Sequence, residues 1–134
     1  MNIVSQLSRI NRYLNMLAQQ APVSSARLEV LRLIQQKNPI TLRQLCQIQQ
    51  VSMPTMSKLV DELQNQSLVI RAHSKDDARQ RLIVPTQKGV QQLKQMEQVN
   101  AEFWQQKFAH LSDEQNNAIE QALTQLASAL KPKS

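Results

Sequence analysis

The feature that most constrains the fold of this chain is a capped helix followed directly by two β-rich runs. The segment VSMPTMSKLVDELQNQSLVIR begins at Val51 as a helix start and ends in strand-forming residues. Ser52 is placed to cap the helix, and Pro54 is tolerated because first-turn amide protons have no helical partner. A second β-rich run, RLIV at residues 81–84, follows the charged segment AHSKDDARQ. This change of period predicts a helix followed by a β-hairpin with a long charged tip.

Two helical segments precede the capped helix. The serine pair at residues 24–25 can cap a helix that ends near Pro39, and the run TLRQ at residues 41–44 is a capping box that opens a short helix. In that short helix we expect Leu45 and Ile48 to face inward. The order helix, short helix, helix, hairpin predicts a winged helix-turn-helix, in a chain of mainly α, α+β class.

Both ends of the chain carry narrow apolar seams whose members step by four and three residues, as in helices that pair with another helix. The helices could pack within one chain, or pair with a second copy, and we expect the homodimer. The seam residues are Ile3, Leu7, Ile10, Leu14 and Leu17 near the start, and Ile119, Leu123, Leu126 and Leu130 near the end. The sequence therefore predicts a helical dimerisation region at 1–22 and 100–134. A winged helix-turn-helix domain at 23–99 would include the start of a long connecting helix.

Positive charge is concentrated in the middle of the chain. Of sixteen Lys and Arg, ten lie between Ser24 and Lys88, together with five of the ten acids. This window therefore carries +5 of the formal net charge of +6. A localised basic surface indicates a polyanionic partner, with nucleic acid the leading candidate. On charge alone, a basic face that is merely solvated remains the alternative.

The sequence offers little that could support catalysis. Its one glycine, Gly89, excludes glycine-rich phosphate loops, and His73 and His110 lie far apart, without Cys or carboxylate neighbours at metal-ligand spacing. We therefore expect no enzyme activity, no metal and no cofactor. The single cysteine, the absence of a signal-peptide pattern and the absence of a long apolar run lead us to expect a cytoplasmic protein without a membrane span.

The helix that starts at Ser52 has two faces. Met56, Leu59, Val60 and Leu63 form a core stripe, whereas the N-terminal half of the opposite face is small, polar and cationic. Recognition helices contact base edges through such N-terminal residues. The alternative is an amphipathic core helix with an ordinary solvated face. The candidate DNA-contacting residues of this helix are Ser52, Pro54, Thr55, Ser57 and Lys58.

The hairpin supplies a second set of cations. Lys75, Arg79 and Arg81 lie at its tip and Arg71 on the adjoining strand, which completes the candidate DNA-contacting residues. Asp77 can hold a neighbouring arginine extended by a charge-assisted hydrogen bond. An arginine held in this way could enter the minor groove, whose negative potential attracts it. A flexible turn of mixed charge is the alternative.

The motifs VSMPTMSKLVDEL, LVIR and SKDDARQRLIVPTQKG resemble the recognition helix and wing of the MarR family of bacterial transcriptional regulators. The Asp77-Ala78-Arg79 element, seven residues before Thr86, carries much of the likeness. The resemblance implies a homodimer that binds a pseudo-palindromic double-stranded DNA operator. Residues 52–58 would then lie in the major groove, and Arg79, oriented by Asp77, in the minor groove. It also implies a repressor released by a small aromatic or phenolic effector, or by cysteine oxidation.

Two positions depart from the family pattern. Ser67 stands where glycine usually ends the recognition helix, so a positive φ there would cost roughly 1 kcal/mol. Pro85 replaces a frequent leucine at the end of the second wing strand, where we expect it to be tolerated on an edge.

The residues that could sense a signal have two interpretations each. Phe103, Trp104 and Phe108 could line an effector pocket beside the dimer interface, or belong to the core. Cys46 could be a thiol-based redox sensor, or a small core residue. A different class of function also remains open, in which the protein is a winged-helix adaptor whose hairpin binds another protein.

Overall fold

The computed structural model describes residues 2–77 and 79–132, in which six helices accompany a small three-stranded sheet. By Cα-contact clustering the chain divides into two compact units, Met1–Ala101 and Glu102–Ser134. The helices are α1 (Ile3–Gln20), α2 (Ser25–Gln36), α3 (Leu42–Gln49), α4 (Met53–Asn65), α5 (Gln87–Lys107) and α6 (Asp113–Leu130). The strands are β1 (Ile40–Thr41), β2 (Val69–His73) and β3 (Arg81–Pro85). The predicted winged helix-turn-helix order is confirmed.

No helix among the described residues combines the length and the apolar character that crossing a membrane requires.

The helices begin where the sequence places their caps. The side chains of Ser24 and Ser52 accept the backbone N–H of the third residue along, and so satisfy first-turn donors of α2 and α4. The pairs Thr41–Gln44 and Ser112–Gln115 form reciprocal capping boxes at the starts of α3 and α6. These local hydrogen bonds explain why the starts of α2, α3 and α4 could be predicted from short motifs.

The sheet has the strand order β1-β3-β2, with both pairs antiparallel. Strand β1 was not predicted, because two residues carry no periodicity, and it pairs with Leu82 and Ile83. The expectation that Pro85 lies on an edge strand is therefore wrong, since β3 is the central strand. Pro85 is tolerated because it is the last residue of β3, opposite Val69 and beyond the residues that pair with β1.

The core of the first unit forms beneath α4. The predicted stripe of Met56, Val60 and Leu63 is buried to 1% exposure or less, and Leu59 is partly buried against it. The other members of this cluster come from α2, α3, the exit of α4, the sheet and α5: Leu28, Val30, Leu31, Leu33, Ile34, Ile40, Leu45, Cys46, Leu68, Val69, Ile83 and Leu93. One face of α4 is thus fixed by packing, which leaves its other face free for a partner.

Ile48 corrects one sequence-based expectation. Its side chain is 45% exposed, whereas Leu45 is fully buried and Cys46 nearly so. At about 100° of rotation per residue, Leu45 and Cys46 bracket the inward arc of α3, and Ile48 falls roughly 110° from its centre. The short helix therefore buries its adjacent pair and leaves Ile48 outside.

The exit of α4 is a Schellman motif with serine in the position that favours glycine. The N–H of Leu68 donates to the carbonyl of Leu63, and the N–H of Ser67 to that of Gln64, each at 2.9 Å. Ser67 has a φ of 63°, so it adopts the left-handed conformation in which glycine is usually found. The helix therefore ends in the required geometry at the cost of a strained residue.

We expect Ser67→Gly to raise the free energy of unfolding by about 1 kcal/mol, because glycine removes the Cβ clash of the left-handed region. Urea denaturation followed by circular dichroism measures the change. Ser57→Gly, within α4 at ordinary helical geometry, is the matched control and should lower stability by about 1 kcal/mol. Equal effects of the two substitutions would contradict the assignment of strain to Ser67.

The one glycine of the chain marks a close approach at this same junction. The Thr86 hydroxyl accepts the N–H of Gly89 at 2.9 Å and donates to the carbonyl of Ser67 at 2.6 Å. The N–H of Thr86 donates to the carbonyl of Leu68 at 3.1 Å. A Cβ on Gly89 would lie 2.1 Å from that same Leu68 oxygen. The end of α4, the end of β3 and the start of α5 are therefore joined with no room for a side chain.

Candidate nucleic-acid interface

The first turns of α4 present the predicted polar face to solvent. Pro54, Thr55 and Lys58 are exposed, and Ser57 is partly exposed. The hydroxyl of the cap Ser52 donates to the Thr55 hydroxyl at 2.9 Å while accepting the Thr55 N–H at 3.3 Å. The cap thus orders the side chain of Thr55 as well as the helix start. This end of the helix offers small hydroxyls, one cation and the positive end of the helix dipole, a combination suited to anions and base edges.

Arg71 is held against α4 by two of its side chains. Its guanidinium pairs with the carboxylate of Asp61 at 2.8 Å and hydrogen-bonds the side chain of Gln64. The Arg71 side chain is only 18% exposed, against 59% for that of Asp61. Arg71 therefore links β2 to the second half of α4 and neutralises an acid on the recognition face.

Hydrogen bonds join the described residues at the tip of the hairpin. The carboxylate of Asp77 accepts the backbone N–H of Arg79 at 2.9 Å, and the carbonyl of Asp77 accepts the N–H of Gln80 at 3.0 Å. The N–H of Ser74 closes the turn on the carbonyl of Gln80, also at 3.0 Å. Asp77 thus orients Arg79 through its backbone. Lys75 is exposed beside this turn, and Ala78 lies outside the described residues.

A groove of about 450 Å³ brings the hairpin together with the starts of α3 and α4. Three arginines from two elements line it: Arg43 in the first turn of α3, and Arg79 and Arg81 from the hairpin. Met53, the first residue of α4, lines the same groove. Two separate stretches of sequence therefore present cations to one concave surface, which the start of α4 also lines.

Arg43 is a candidate contact that the sequence reasoning missed. It lies inside the TLRQ capping box. The neighbouring residues of this motif predict a helix start, and no role was assigned to the Arg43 side chain. The capping box did contain the signal. It places the residue in the exposed first turn of the helix before the recognition helix, and the first helix of a helix-turn-helix crosses the DNA backbone.

Cys46 sits at the joint between α3 and α4. It is 9% exposed, and its thiol donates to the thioether sulfur of Met53 at 3.3 Å. Its other surroundings are the apolar cluster beneath α4. These contacts fit the interpretation of Cys46 as a small core residue that connects the two helices.

Each terminal helix leaves its apolar seam uncovered within its own unit. In α1 no described residue is buried, and Ile3, Ile10 and Leu14 are exposed, whereas Leu7 and Leu17 are half-buried. In α6 no described residue is buried either; Ile119, Leu123 and Leu130 are exposed and Leu126 is half-buried. Exposed seams of this kind mark surfaces that associate.

The three aromatic residues of the second unit pack on one another. Phe103 meets Trp104 edge to face with ring centroids 5.2 Å apart, and Trp104 stacks with Phe108 at 6.3 Å. The ammonium of Lys107 lies 5.1 Å from the centroid of the Phe103 ring. Phe108 remains 48% exposed. The predicted trio is therefore one cluster in space, available to a ligand or a partner on its Phe108 side.

Comparison with known proteins finds a family match over part of the chain and a shared fold. Residues 21–80 match the MarR family. Escherichia coli MarR in its apo form is similar at 21% identity and TM-score 0.77, over 94% of this chain and 97% of that one. A probable transcriptional regulator from Pseudomonas aeruginosa is similar at 20% identity and TM-score 0.75, over 93% and 96% of the two chains.

Bordetella bronchiseptica BpsR, whose DNA binding is regulated by 6-hydroxynicotinic acid, is similar at 19% identity and TM-score 0.71, over 94% of this chain and 93% of its own. At such identities the likeness establishes the fold. No curated protein sequence matches this chain.

Proposed function

We propose that this chain, whose residues 21–80 match the MarR family and whose fold is similar to that of Escherichia coli MarR, is a MarR-family, sequence-specific DNA-binding regulator. In this proposal it is a cytoplasmic, non-enzymatic homodimer that represses transcription from a pseudo-palindromic operator and responds to a small effector. The start of α4 enters the major groove, and Arg79 enters the minor groove from the hairpin.

The observation that carries the proposal is the groove shared by the starts of α3 and α4 and the hairpin. Arg43, Arg79 and Arg81 line it, with Asp77 as the one acid, whose carboxylate already accepts a backbone N–H. Phosphates are recognised by guanidinium groups held in fixed positions. A basic concavity beside an exposed, capped helix start is the surface that a winged helix offers to duplex DNA.

The same arrangement explains how an acid can lie on the recognition helix. Asp61 is tied to Arg71, so its charge is compensated within the protein. We assign Arg71 to this positioning role, and the direct contacts to Ser52, Pro54, Thr55, Ser57, Lys58, Arg43, Lys75, Arg79 and Arg81.

Selecting bound sequences from a random duplex pool tests the proposal most directly. The selected sites should share two inverted half-sites whose centres lie about one helical turn apart, 10–10.5 base pairs. Binding to the selected duplex should weaken steeply as salt rises, because phosphate contacts release counterions. A protein that enriches no sequence and shifts no duplex would contradict the proposal and favour the alternative of a winged-helix adaptor.

We expect Arg79→Ala to weaken binding of the selected duplex about tenfold or more, and Lys58→Ala to weaken it less, because Arg79 loses a bidentate donor. Arg43→Ala should weaken all duplexes alike and lower the slope of log affinity against log salt by about one, as for a lost phosphate contact. Fluorescence anisotropy at several salt concentrations measures all three.

The matched control is Lys94→Ala, an exposed cation on α5 that lines no part of the groove. It should bind the selected duplex nearly as the parent does. If Lys94→Ala lost as much duplex affinity as Arg79→Ala, overall charge and not the groove would account for binding.

A further inference from the structure

Met53 is an apolar side chain exposed at the start of α4. It is the first residue of that helix and is 48% exposed, although methionine is usually buried. It lines the groove together with Arg43, Arg79 and Arg81. Leu42 also lines the groove but packs against the core cluster. Met53 is therefore an apolar side chain that the groove presents to solvent among cations.

The Met53 side chain is anchored to the preceding helix. Its thioether sulfur accepts a hydrogen bond from the Cys46 thiol of α3 at 3.3 Å. Cys46 is itself fixed among the core residues beneath α4. A methionine side chain is unbranched and flexible, so an anchored sulfur removes much of the freedom that an exposed thioether otherwise has. The contact therefore limits the positions open to the terminal methyl group of Met53.

The place of Met53 on α4 decides which surface of duplex DNA it can reach. In the proposed function the start of α4 enters the major groove, where the first residues of a recognition helix meet base edges. In that groove thymine presents an apolar group, its C5-methyl, and side chains recognise it by apolar contact. The arginines beside Met53 are suited to phosphates, whereas the thioether is suited to a methyl group.

We propose that Met53 contacts the C5-methyl group of a thymine in each operator half-site and so contributes to sequence specificity, with Cys46 as its positioning residue. This inference rests on the proposed function, since it requires α4 in the major groove. The arginines of the groove fix the register of the protein on the duplex, and Met53 contacts a base edge. Because Met53 shares the groove with the hairpin, the thymine lies at the end of the half-site nearest the minor-groove segment that Arg79 enters.

Thr55 is the competing candidate for a thymine contact, because its side chain also carries a methyl group and is exposed. Residues two positions apart on a helix point about 200° apart around its axis, so Met53 and Thr55 face different bases. The Thr55 hydroxyl accepts from the Ser52 hydroxyl at 2.9 Å, which leaves its own proton free to donate. Thr55 is therefore suited to a hydrogen-bond acceptor, and Met53 to an apolar group.

Replacing thymidine by deoxyuridine tests this contact, because the change keeps the base pair and removes only the C5-methyl group. Each thymine of a half-site in the selected duplex is replaced in turn, together with its symmetry mate, and fluorescence anisotropy measures Kd. We expect one replacement to raise the Kd of the parent protein about tenfold, since burial of one methyl group contributes about fourfold at each half-site. Met53→Ala should bind the thymine duplex about tenfold more weakly than the parent does, and should not distinguish it from that uracil duplex.

Ile48→Ala is the matched control. Ile48 is 45% exposed, much as Met53 is, but it lines a separate cavity beside Pro39. This variant should keep the parent's preference for thymine over uracil, and Met53→Leu, which retains an apolar side chain, should keep most of it. Cys46→Ala removes the thiol that holds the sulfur, so it should reduce the ratio of the two Kd values. A purely structural role of Cys46 would lower affinity for both duplexes and leave that ratio unchanged.

Several results would overturn the contact while leaving DNA binding intact: selected half-sites without thymine, no effect of any replacement on the parent, or an unchanged preference in Met53→Ala. Loss of the preference in Thr55→Ser, with the preference kept in Met53→Ala, would assign the methyl contact to Thr55. A parent protein that selects no duplex would overturn the proposed function and this inference together. Circular dichroism of each variant confirms that a lost preference does not reflect lost folding.

Discussion

Gly89→Ala is expected to lower the free energy of unfolding by about 3 kcal/mol or more. The added Cβ would lie 2.1 Å from the carbonyl oxygen of Leu68, well inside contact distance. That oxygen is backbone and already accepts the N–H of Thr86, so it cannot move aside without breaking the junction. Urea denaturation of the purified variant measures the loss, and loss of cooperative unfolding would be its extreme form.

Helix propensity predicts the opposite sign for this substitution. Alanine in a helix is favoured over glycine by about 1 kcal/mol, and Gly89 lies in the first turn of α5. Gln91→Ala, two residues later and exposed, is the matched control and should be neutral or slightly stabilising. A Gly89→Ala variant as stable as the parent would show that the close approach does not govern this position.

The double substitution Leu7→Glu with Leu123→Glu is expected to raise the dissociation constant of the proposed homodimer at least about a hundredfold, because carboxylates would have to be buried in an apolar interface. Leu7 is half-buried and Leu123 is 54% exposed in the single chain, so neither change removes a core residue. Sedimentation velocity across a concentration series measures the change, and circular dichroism should report an intact helical protomer.

The control for this prediction places the same charges off the seams. Gln19→Glu with Gln121→Glu adds two carboxylates to exposed positions of α1 and α6 that lie away from the seam residues. This variant should sediment as the parent does. Since operator half-sites need two recognition helices, the leucine variant should also lose most of its affinity for the selected duplex. If the leucine variant remained dimeric, the dimer interface would not lie on these two helices.

Much of the fold was predictable because its signals are local. Ser52, Thr41 and Ser112 reveal helix starts through hydrogen bonds that span three residues. The stripe at Met56, Val60 and Leu63 reveals a buried face through spacing alone. Strand β1 escaped prediction because a two-residue strand exists only through its pairing with β3. Ile48 was misplaced because the inward arc of a short helix is set by its neighbours.

The candidate interface was likewise only partly predictable from the sequence. The exposed start of α4 and the cations of the hairpin could be named from composition and order in the chain. The partners of Arg71 and the backbone bond made by Asp77 could not, because each depends on a side chain chosen by three-dimensional proximity. Arg43 became a candidate only when it was found on the same groove as Arg79 and Arg81.

By itself, the sequence determined the winged helix-turn-helix order, the basic centre and the seams of the terminal helices, since caps, periodicity and charge are properties of neighbouring residues. Only the tertiary structure decided why a side chain at the sole glycine would meet backbone, which cations line the groove and which pair within the fold. It also brought Met53 of α4 to the same groove as the hairpin arginines. These features depend on distances between residues remote in the chain, which packing sets and local pattern does not encode.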